Sequence, residues 1–103
     1  MSVTRKIEWL PEAIADLARV REFIQVHNPD AASRAANRIR DAVKKLPDHP
    51  LIGRPVHDIV RPLFRDIFIT FGQSGYWLRY TIIDNAIIIA RIWHGRENRE
   101  TPK

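Results

Sequence analysis

Four residues in the C-terminal half of the chain have side chains suited to phosphate chemistry. Arg65, Arg79 and Arg91 each fall in one of three consecutive predicted strands, and His94 follows the last of them. Guanidinium groups stabilise negative charge that develops on a phosphate, and an imidazole exchanges protons near neutral pH. Completed by a base, this set would suit metal-independent cleavage of RNA, in which the base takes the 2′-hydroxyl proton.

The sequence does not mark a complete catalytic set. His57 and Asp58 are possible bases, and no spacing distinguishes either of them. The strand parity derived below places Arg79 and His94 on one sheet face and Arg91 on the other. Acid–base catalysis needs groups that converge on one reacting atom. We therefore name no catalytic residue and favour a protein that is not an enzyme; the alternative is a metal-independent endoribonuclease that uses the three arginines and His94.

Composition narrows the other classes of site. The 103 residues include no cysteine, which excludes disulfides and thiolate metal ligands. His49 and His57 stand eight residues apart without a third ligand at a metal spacing, so we expect exposed loop histidines, no metal and no cofactor. Neither an apolar run of membrane-spanning length nor a signal-peptide core is visible. We expect a cytoplasmic protein that does not associate with membranes.

The charge balance indicates an acidic partner. Seventeen Lys and Arg residues against twelve Asp and Glu residues give a net charge of +5. A small basic domain attracts nucleic acid or an acidic protein.

The second predicted helix carries five basic residues around its apolar stripe, interrupted by Asp41; they are Arg34, Arg38, Arg40, Lys44 and Lys45. We interpret them as a solvated helix face and predict no direct sequence-specific DNA binding, because positive charge alone gives only general phosphate affinity.

Periodicity predicts one strand and two helices before the arginine-bearing strands. Apolar residues alternate over 3–9, as in a strand. Pro11 suits the first turn of an amphipathic helix of about 16 residues. Asn28 and Pro29 indicate the start of a second helix that ends before Pro47, since Asn is a strong N-cap and Pro is tolerated at the first helical position. A short connection predicts an antiparallel helical hairpin.

After an irregular stretch over 47–62, the rest of the chain predicts a three-stranded antiparallel ribbon. The runs are Phe64–Phe71, Tyr76–Ile83 and Ala86–Trp93, separated by 72–75 and by the two-residue turn Asp84-Asn85. The fold class is therefore α+β with the order β-α-α-β-β-β, the helical hairpin packing on one face of a mostly antiparallel sheet. We expect a single domain over 1–103 with a polar tail over 94–103.

This arrangement predicts a sheet face that the helices do not cover. With Ile83 opposite Ala86, one face carries an almost wholly apolar set that faces the helices. The other face carries Trp77, Arg79, Thr81, Ile88, Ala90, Ile92 and His94. An exposed apolar patch with a charged rim usually marks an interaction site, so we favour a foreign partner there. The alternatives are that the 47–62 segment or a second copy of the chain covers it.

Several short motifs, taken in order, resemble the ParE/RelE toxin superfamily of type II toxin–antitoxin systems. After the helical hairpin come Gly53-Arg54-Pro55, Leu63-Phe64-Arg65, Phe71 to Tyr76 with the sequence FGQSGY, Arg79-Tyr80, and Arg91 to Arg96 with the sequence RIWHGR. The resemblance runs from Trp9 to Arg96, and the FGQSGY and WHGR stretches are closer to ParE-like members.

The resemblance implies a toxin with a RelE/ParE-like fold that a cognate acidic antitoxin, ParD-like in a ParE system, binds and neutralises in a hetero-oligomer. It implies that DNA gyrase is the target, the alternatives being ribosome-dependent mRNA cleavage as in RelE and a non-toxic binding module. We expect the antitoxin at the uncovered face, on Trp77, Arg79, Ile88, Ile92 and His94. Residues expected to bind the target are Arg65, Arg91, Arg96 and Arg99.

Overall fold

The computed structural model describes residues 5–57 and 63–95, which form one mixed sheet with two helices on it. The elements are β1 (Lys6–Trp9), α1 (Pro11–Gln25), α2 (Pro29–Lys45), β2 (Arg54–Pro55), β3 (Phe64–Phe71), β4 (Ser74–Ile83) and β5 (Ala86–His94). Within these ranges the strand order is β1-β5-β4-β3-β2; β1 runs parallel to β5, and the other neighbours are antiparallel. The predicted α+β class is confirmed, with β2 as an unpredicted addition.

The helix boundaries follow the predicted signals. Pro11 opens α1, and Pro29 opens α2 behind Asn28, whose side-chain oxygen accepts a hydrogen bond from the Ala31 N–H at 3.1 Å. That bond satisfies one of the backbone donors that a helix N-terminus leaves without a partner. The second helix ends at Lys45, before Pro47. Neither described helix combines the length and the apolar character that crossing a bilayer requires.

Two-residue turns connect the last three strands. Asp84 and Asn85 both have positive φ, 49° and 66°, as a type I′ hairpin requires, and the predicted turn is confirmed. The turn between β3 and β4 is shorter than the predicted 72–75. Phe71 pairs with Ser74, so only Gly72 and Gln73 lie between the strands, and Gly72 has a φ of +61°. Glycine adopts this backbone conformation without steric cost.

A β-bulge in β5 changes the side-chain parity that the sequence predicted. Tyr80 pairs with Ile89, but Arg79 pairs with Arg91, so Ala90 is an extra residue on β5. Two residues on one strand then oppose one residue on its partner. Every residue of β5 beyond Ala90 therefore faces the side opposite to the one that regular alternation predicts.

The predicted positions of Ile92 and His94 on the uncovered face are wrong for this reason. Ile92 pairs with Leu78 and His94 pairs with Tyr76, which places both on the face that carries the helices. Ile92 is fully buried in the core, and Trp93 takes the place on the second face. Complete burial of a side chain of this size contributes about 1.5–3 kcal/mol to the free energy of unfolding, so Ile92 stabilises the fold.

The hydrophobic core lies between the helices and one sheet face. The helices contribute Ala13, Val20, Ala35, Ile39 and Val43, and Leu46 follows α2 directly. The strands contribute Ile69, Tyr76, Leu78, Tyr80, Ile87, Ile89 and Ile92. The helical hairpin therefore covers one face of the sheet, as predicted, and leaves the second face to be closed by other means.

Candidate functional site

The second face, which we define as the sheet face away from the helices, is centred on Arg79. Its guanidinium forms a two-pronged ion pair with Asp66, Nε to Oδ1 at 2.9 Å and Nη2 to Oδ2 at 3.0 Å. The same guanidinium lies 5.3 Å from the centre of the Trp93 ring, within the range of a cation–π contact. Arg79 is only 3% exposed. It is an internal ion-pair residue in the isolated chain.

The prediction of an uncovered second face is therefore wrong at its centre. Thr81 is buried and donates a 2.6 Å hydrogen bond to the Leu63 carbonyl, and Ala90 and Trp93 are buried as well. The bulge contributes directly, because it brings Trp93 onto this face beneath the arginine. Of the predicted antitoxin-binding residues, Trp77 and Ile88 keep partial exposure, whereas Arg79 and Ile92 offer no surface.

Arg91 is held at the edge of β5 by a buried carboxylate from α1. Asp16 Oδ2 accepts hydrogen bonds from Arg91 Nε at 2.8 Å and from the Ile92 backbone N–H at 2.9 Å. β1 pairs with β5 only as far as Ile89, so beyond that point Asp16 supplies an acceptor that a neighbouring strand would otherwise provide. Arg19 lies 3.6 Å from the same carboxylate.

Arg65 holds the segment before β2. Its Nη1 donates to the Gly53 carbonyl at 2.8 Å and to the Leu51 carbonyl at 3.3 Å. The neighbouring Tyr80 hydroxyl donates to the Pro50 carbonyl at 2.8 Å and accepts from the Gly53 N–H at 2.9 Å. Burial raises the pKa of the Tyr80 phenol, partly offset by the Gly53 hydrogen bond and the Arg65 charge. The hydroxyl therefore stays protonated near neutral pH and serves as a structural donor.

His94 lies on the helix face, away from Arg79. Its ring meets the Tyr76 ring edge to face, with centroids 5.3 Å apart. The predicted placement of Arg79 and His94 on one face, with Arg91 on the other, is therefore wrong. The bulge separates His94 from Arg79 and pairs Arg91 with Arg79. Burial also raises the pKa of the Tyr76 phenol, so this neighbour stays protonated near neutral pH.

The remaining predicted site residues do not complete a catalytic or metal site in the described ranges. His49 and His57 are exposed, as predicted. Across 5–57 and 63–95, no three histidine or acidic side chains are grouped to hold a metal ion. Asp58, Arg96 and Arg99 lie outside the described residues.

A groove that the sequence did not predict lies between α2 and the outer side of β3. It has a volume of about 750 Å³. Its lining includes Arg38, Asp41, Lys45, Ile52, Arg54, Asp66, Phe68, Thr70 and Trp77. Phe68 is 44% exposed and lies opposite Trp77. Recognising Gly72-Gln73 as a two-residue turn would have placed Phe68 beside Trp77 from the sequence.

Comparison with known proteins defines the family. Residues 7–99 match the family model described as the ParE toxin of type II toxin–antitoxin systems, parDE. The chain belongs to the ParE toxin family. This ParE-family chain is 33% identical to Toxin RelE3 of Caulobacter vibrioides over 95 residues, covering 92% of the chain and 99% of that protein. It is 36% identical to Toxin RelE1 of the same organism over 84 residues, covering 82% of the chain and 86% of the relative.

A solved structure shares the fold of this ParE-family toxin. The structure, described as a chromosomal ParDE TA system from P. aeruginosa, aligns with a TM-score of 0.69 and 23% identity. The alignment covers 88% of this chain and 96% of the other. Both the predicted superfamily and the predicted fold are confirmed, and the chain is a toxin of a type II toxin–antitoxin system.

Proposed function

We propose that this ParE-family toxin acts by binding DNA gyrase, without cleaving RNA, and that a cognate acidic, ParD-like antitoxin neutralises it. The observation that carries the exclusion of RNA cleavage is that other groups of the chain engage each of the four residues predicted for it. Arg79 pairs with Asp66, Arg91 pairs with Asp16, and Arg65 binds backbone carbonyls. His94 packs against a tyrosine on the opposite face from Arg79.

This arrangement counts against metal-free RNA cleavage for a physical reason. Such a site stabilises the transition state with preorganised cations aimed at one phosphate. Here Asp66 neutralises the charge of Arg79, and the pair is largely withdrawn from solvent. Recruiting Arg79 to a phosphate would require separation of a buried ion pair, which costs about 3–5 kcal/mol. Two relatives carry RelE names, but we give more weight to the intrachain pairing of these arginines.

Charge and the exposed rim of the second face support an acidic antitoxin. The chain carries a net charge of +5, which favours association with an acidic partner. Trp77 and Ile88 keep partial exposure, and Trp77 also lines the groove beside β3. For the target, the Arg91 side chain is 46% exposed, so it can contact gyrase while bonded to Asp16. Arg65, Arg96 and Arg99 stay predictions as target contacts.

Two assays on the same protein test the target. Purified toxin should inhibit supercoiling by gyrase, and the antitoxin encoded beside it should relieve the inhibition. Primer extension on translated messages after induction should show no discrete new ends. The matched variant is the double substitution Asp66→Val with Arg79→Met, which removes the ion pair and should keep the inhibition. Cuts in translated messages, lost in this variant, together with unimpaired supercoiling would refute the proposal.

A further inference from the structure

The outer edge of β3 has only a short strand partner in the described part of the chain. β2 pairs with β3 at two positions, Arg54 with Asp66 and Pro55 with Arg65. From Ile67 to Thr70, β3 is paired with β4 on one side and borders the groove on the other. An edge of this kind presents backbone donors and acceptors to any extended chain that approaches it.

The hydrogen-bonding pattern shows which backbone groups face the groove. The Phe64 carbonyl accepts from the Val56 N–H at 2.9 Å, on the β2 side. The Thr70 carbonyl accepts from Arg38 Nε on α2 at 3.1 Å. Backbone groups alternate in direction along a strand of an antiparallel pair, so Phe68 has the same phase as these two residues. Its N–H and its carbonyl therefore point into the groove, between β2 and the Arg38 side chain.

Apolar anchors lie beside these backbone groups. Phe68 is 44% exposed, and its ring packs edge to face against Trp77 with centroids 5.0 Å apart. Ile52, on the segment before β2, also lines the groove and is 65% exposed. Large apolar side chains grouped at a groove are typical of protein-binding surfaces.

The charges of the groove favour an acidic occupant. Arg38 and Lys45 project from α2, and Arg54 lies on β2. The carboxylates among the described lining residues are Asp41 and Asp66, and Arg79 holds Asp66 in an ion pair. Three cationic groups against one remaining carboxylate give a positive rim, which attracts an acidic chain and repels a basic one.

We propose that an extended acidic segment of the antitoxin docks in this groove as an added β-strand, in line with β2. The segment pairs with the backbone N–H and carbonyl of Phe68 and places an apolar side chain against the Phe68 and Trp77 rings. Its carboxylates lie near Lys45 and Arg54. Main-chain pairing provides affinity in this mode, and the neighbouring side chains provide specificity. The inference rests on the proposed neutralisation by an acidic antitoxin.

Two substitutions at one position separate backbone pairing from ring contact. Phe68→Val removes the ring and keeps the N–H, whereas Phe68→Pro removes both. Because the Phe68 N–H points away from β4, proline there leaves the β3–β4 hydrogen bonds in place. With the antitoxin encoded beside this chain as the probe, we expect Phe68→Val to weaken binding about tenfold. Phe68→Pro should weaken it about tenfold further, since a lost interfacial hydrogen bond has this order of effect.

A charge reversal gives a second test that does not depend on the folding of β3. Lys44 and Lys45 both lie in the last turn of α2, but Lys45 lines the groove and Lys44 lines a different depression. Both substitutions change the same helix terminus, so their effects on helix stability match. Lys45→Glu should weaken antitoxin binding about tenfold or more, and Lys44→Glu should leave it within about twofold.

The outcomes distinguish this inference from the proposed function. If wild-type toxin binds the antitoxin and all four variants bind equally well, the groove assignment is overturned while neutralisation stands. If wild-type toxin does not bind the antitoxin, the proposed neutralisation itself fails. Light scattering of the toxin alone is the remaining arm: a dimer that Phe68→Pro dissociates would assign the groove to a second copy of this chain and overturn the inference.

Discussion

Substitution of Asp66 by Asn tests whether the central arginine of the second face is structural. Asn keeps the size of the side chain but removes the charge that balances Arg79. The side chains of Arg79 and Asp66 are only 4% and 13% exposed, so little solvent screens the pair. Leaving one partner of a buried ion pair uncompensated costs about 3–5 kcal/mol. A domain of this size has about 5–15 kcal/mol of total stability, so the loss would be a large part of it.

The assay is equilibrium unfolding in urea, followed by circular dichroism, together with thermal melting. We expect Asp66→Asn to lower the melting temperature by at least about 10 °C, given about 4–8 °C per kcal/mol for a domain near this length. The control is Asp48→Asn in the exposed turn after α2, which should change the unfolding free energy by less than about 0.5 kcal/mol.

The double variant Asp66→Val with Arg79→Met makes the test discriminating. Replacing both charged partners by apolar residues of similar size removes the desolvation penalty together with the attraction. We expect its unfolding free energy to lie within about 2 kcal/mol of the unmodified chain, well above Asp66→Asn. The reasoning is refuted if Asp66→Asn costs less than about 1 kcal/mol, or if the double variant is as unstable as the single one.

Two further predictions concern the β5 edge and a buried phenol. Asp16→Ala should lower the unfolding free energy by about 1–3 kcal/mol, because the buried Ile92 N–H loses its acceptor. Arg91→Ala should cost under about 1 kcal/mol in the same urea titration, since the Arg91 side chain is half exposed and Asp16 keeps the Ile92 N–H and Arg19 as partners. Equal losses in the two variants would contradict this account. Burial raises the pKa of Tyr76 above 10.0, so the unfolded chain releases this proton first as pH rises. Stability should therefore fall above about pH 10, and less steeply in Tyr76→Phe; identical pH profiles would argue against burial of the phenol.

Local signals in the sequence predicted most of the fold. Asn28-Pro29 specifies a helix start through one side-chain hydrogen bond and a fixed φ angle, both of which act within four residues. Asp84-Asn85 specifies a hairpin because both residues tolerate positive φ. The short β2 escaped prediction because it has only two residues, too few to show the alternation of a strand.

The bulge at Ala90 explains why the site was predicted less well than the fold. Face assignments from alternation are cumulative, so one extra residue inverts everything beyond it. The error therefore fell on Arg91, Ile92 and His94, and the last two are among the five residues predicted for the antitoxin interface. The sequence did contain one signal for the contact between α1 and β5. Asp16 lies on the apolar stripe of α1, between the buried Ala13 and Val20. A carboxylate on an apolar stripe must find a partner, which here is the β5 edge.

The proposed binding surface was also missed by the sequence, because it depends on the order of the strands and not on a local motif. Arg65, Arg79 and Arg91 stood out in the sequence because arginines on neighbouring strands suggest a shared anion. Each of them instead binds groups within the chain, so these arginines stabilise the fold. The groove beside β3 has the opposite origin. It exists because β2 stops after two residues and α2 stands apart from Phe68, which no motif records. An edge strand can be identified only when the order of the strands is known. Its outward-facing backbone N–H and carbonyl groups can then form hydrogen bonds with another chain.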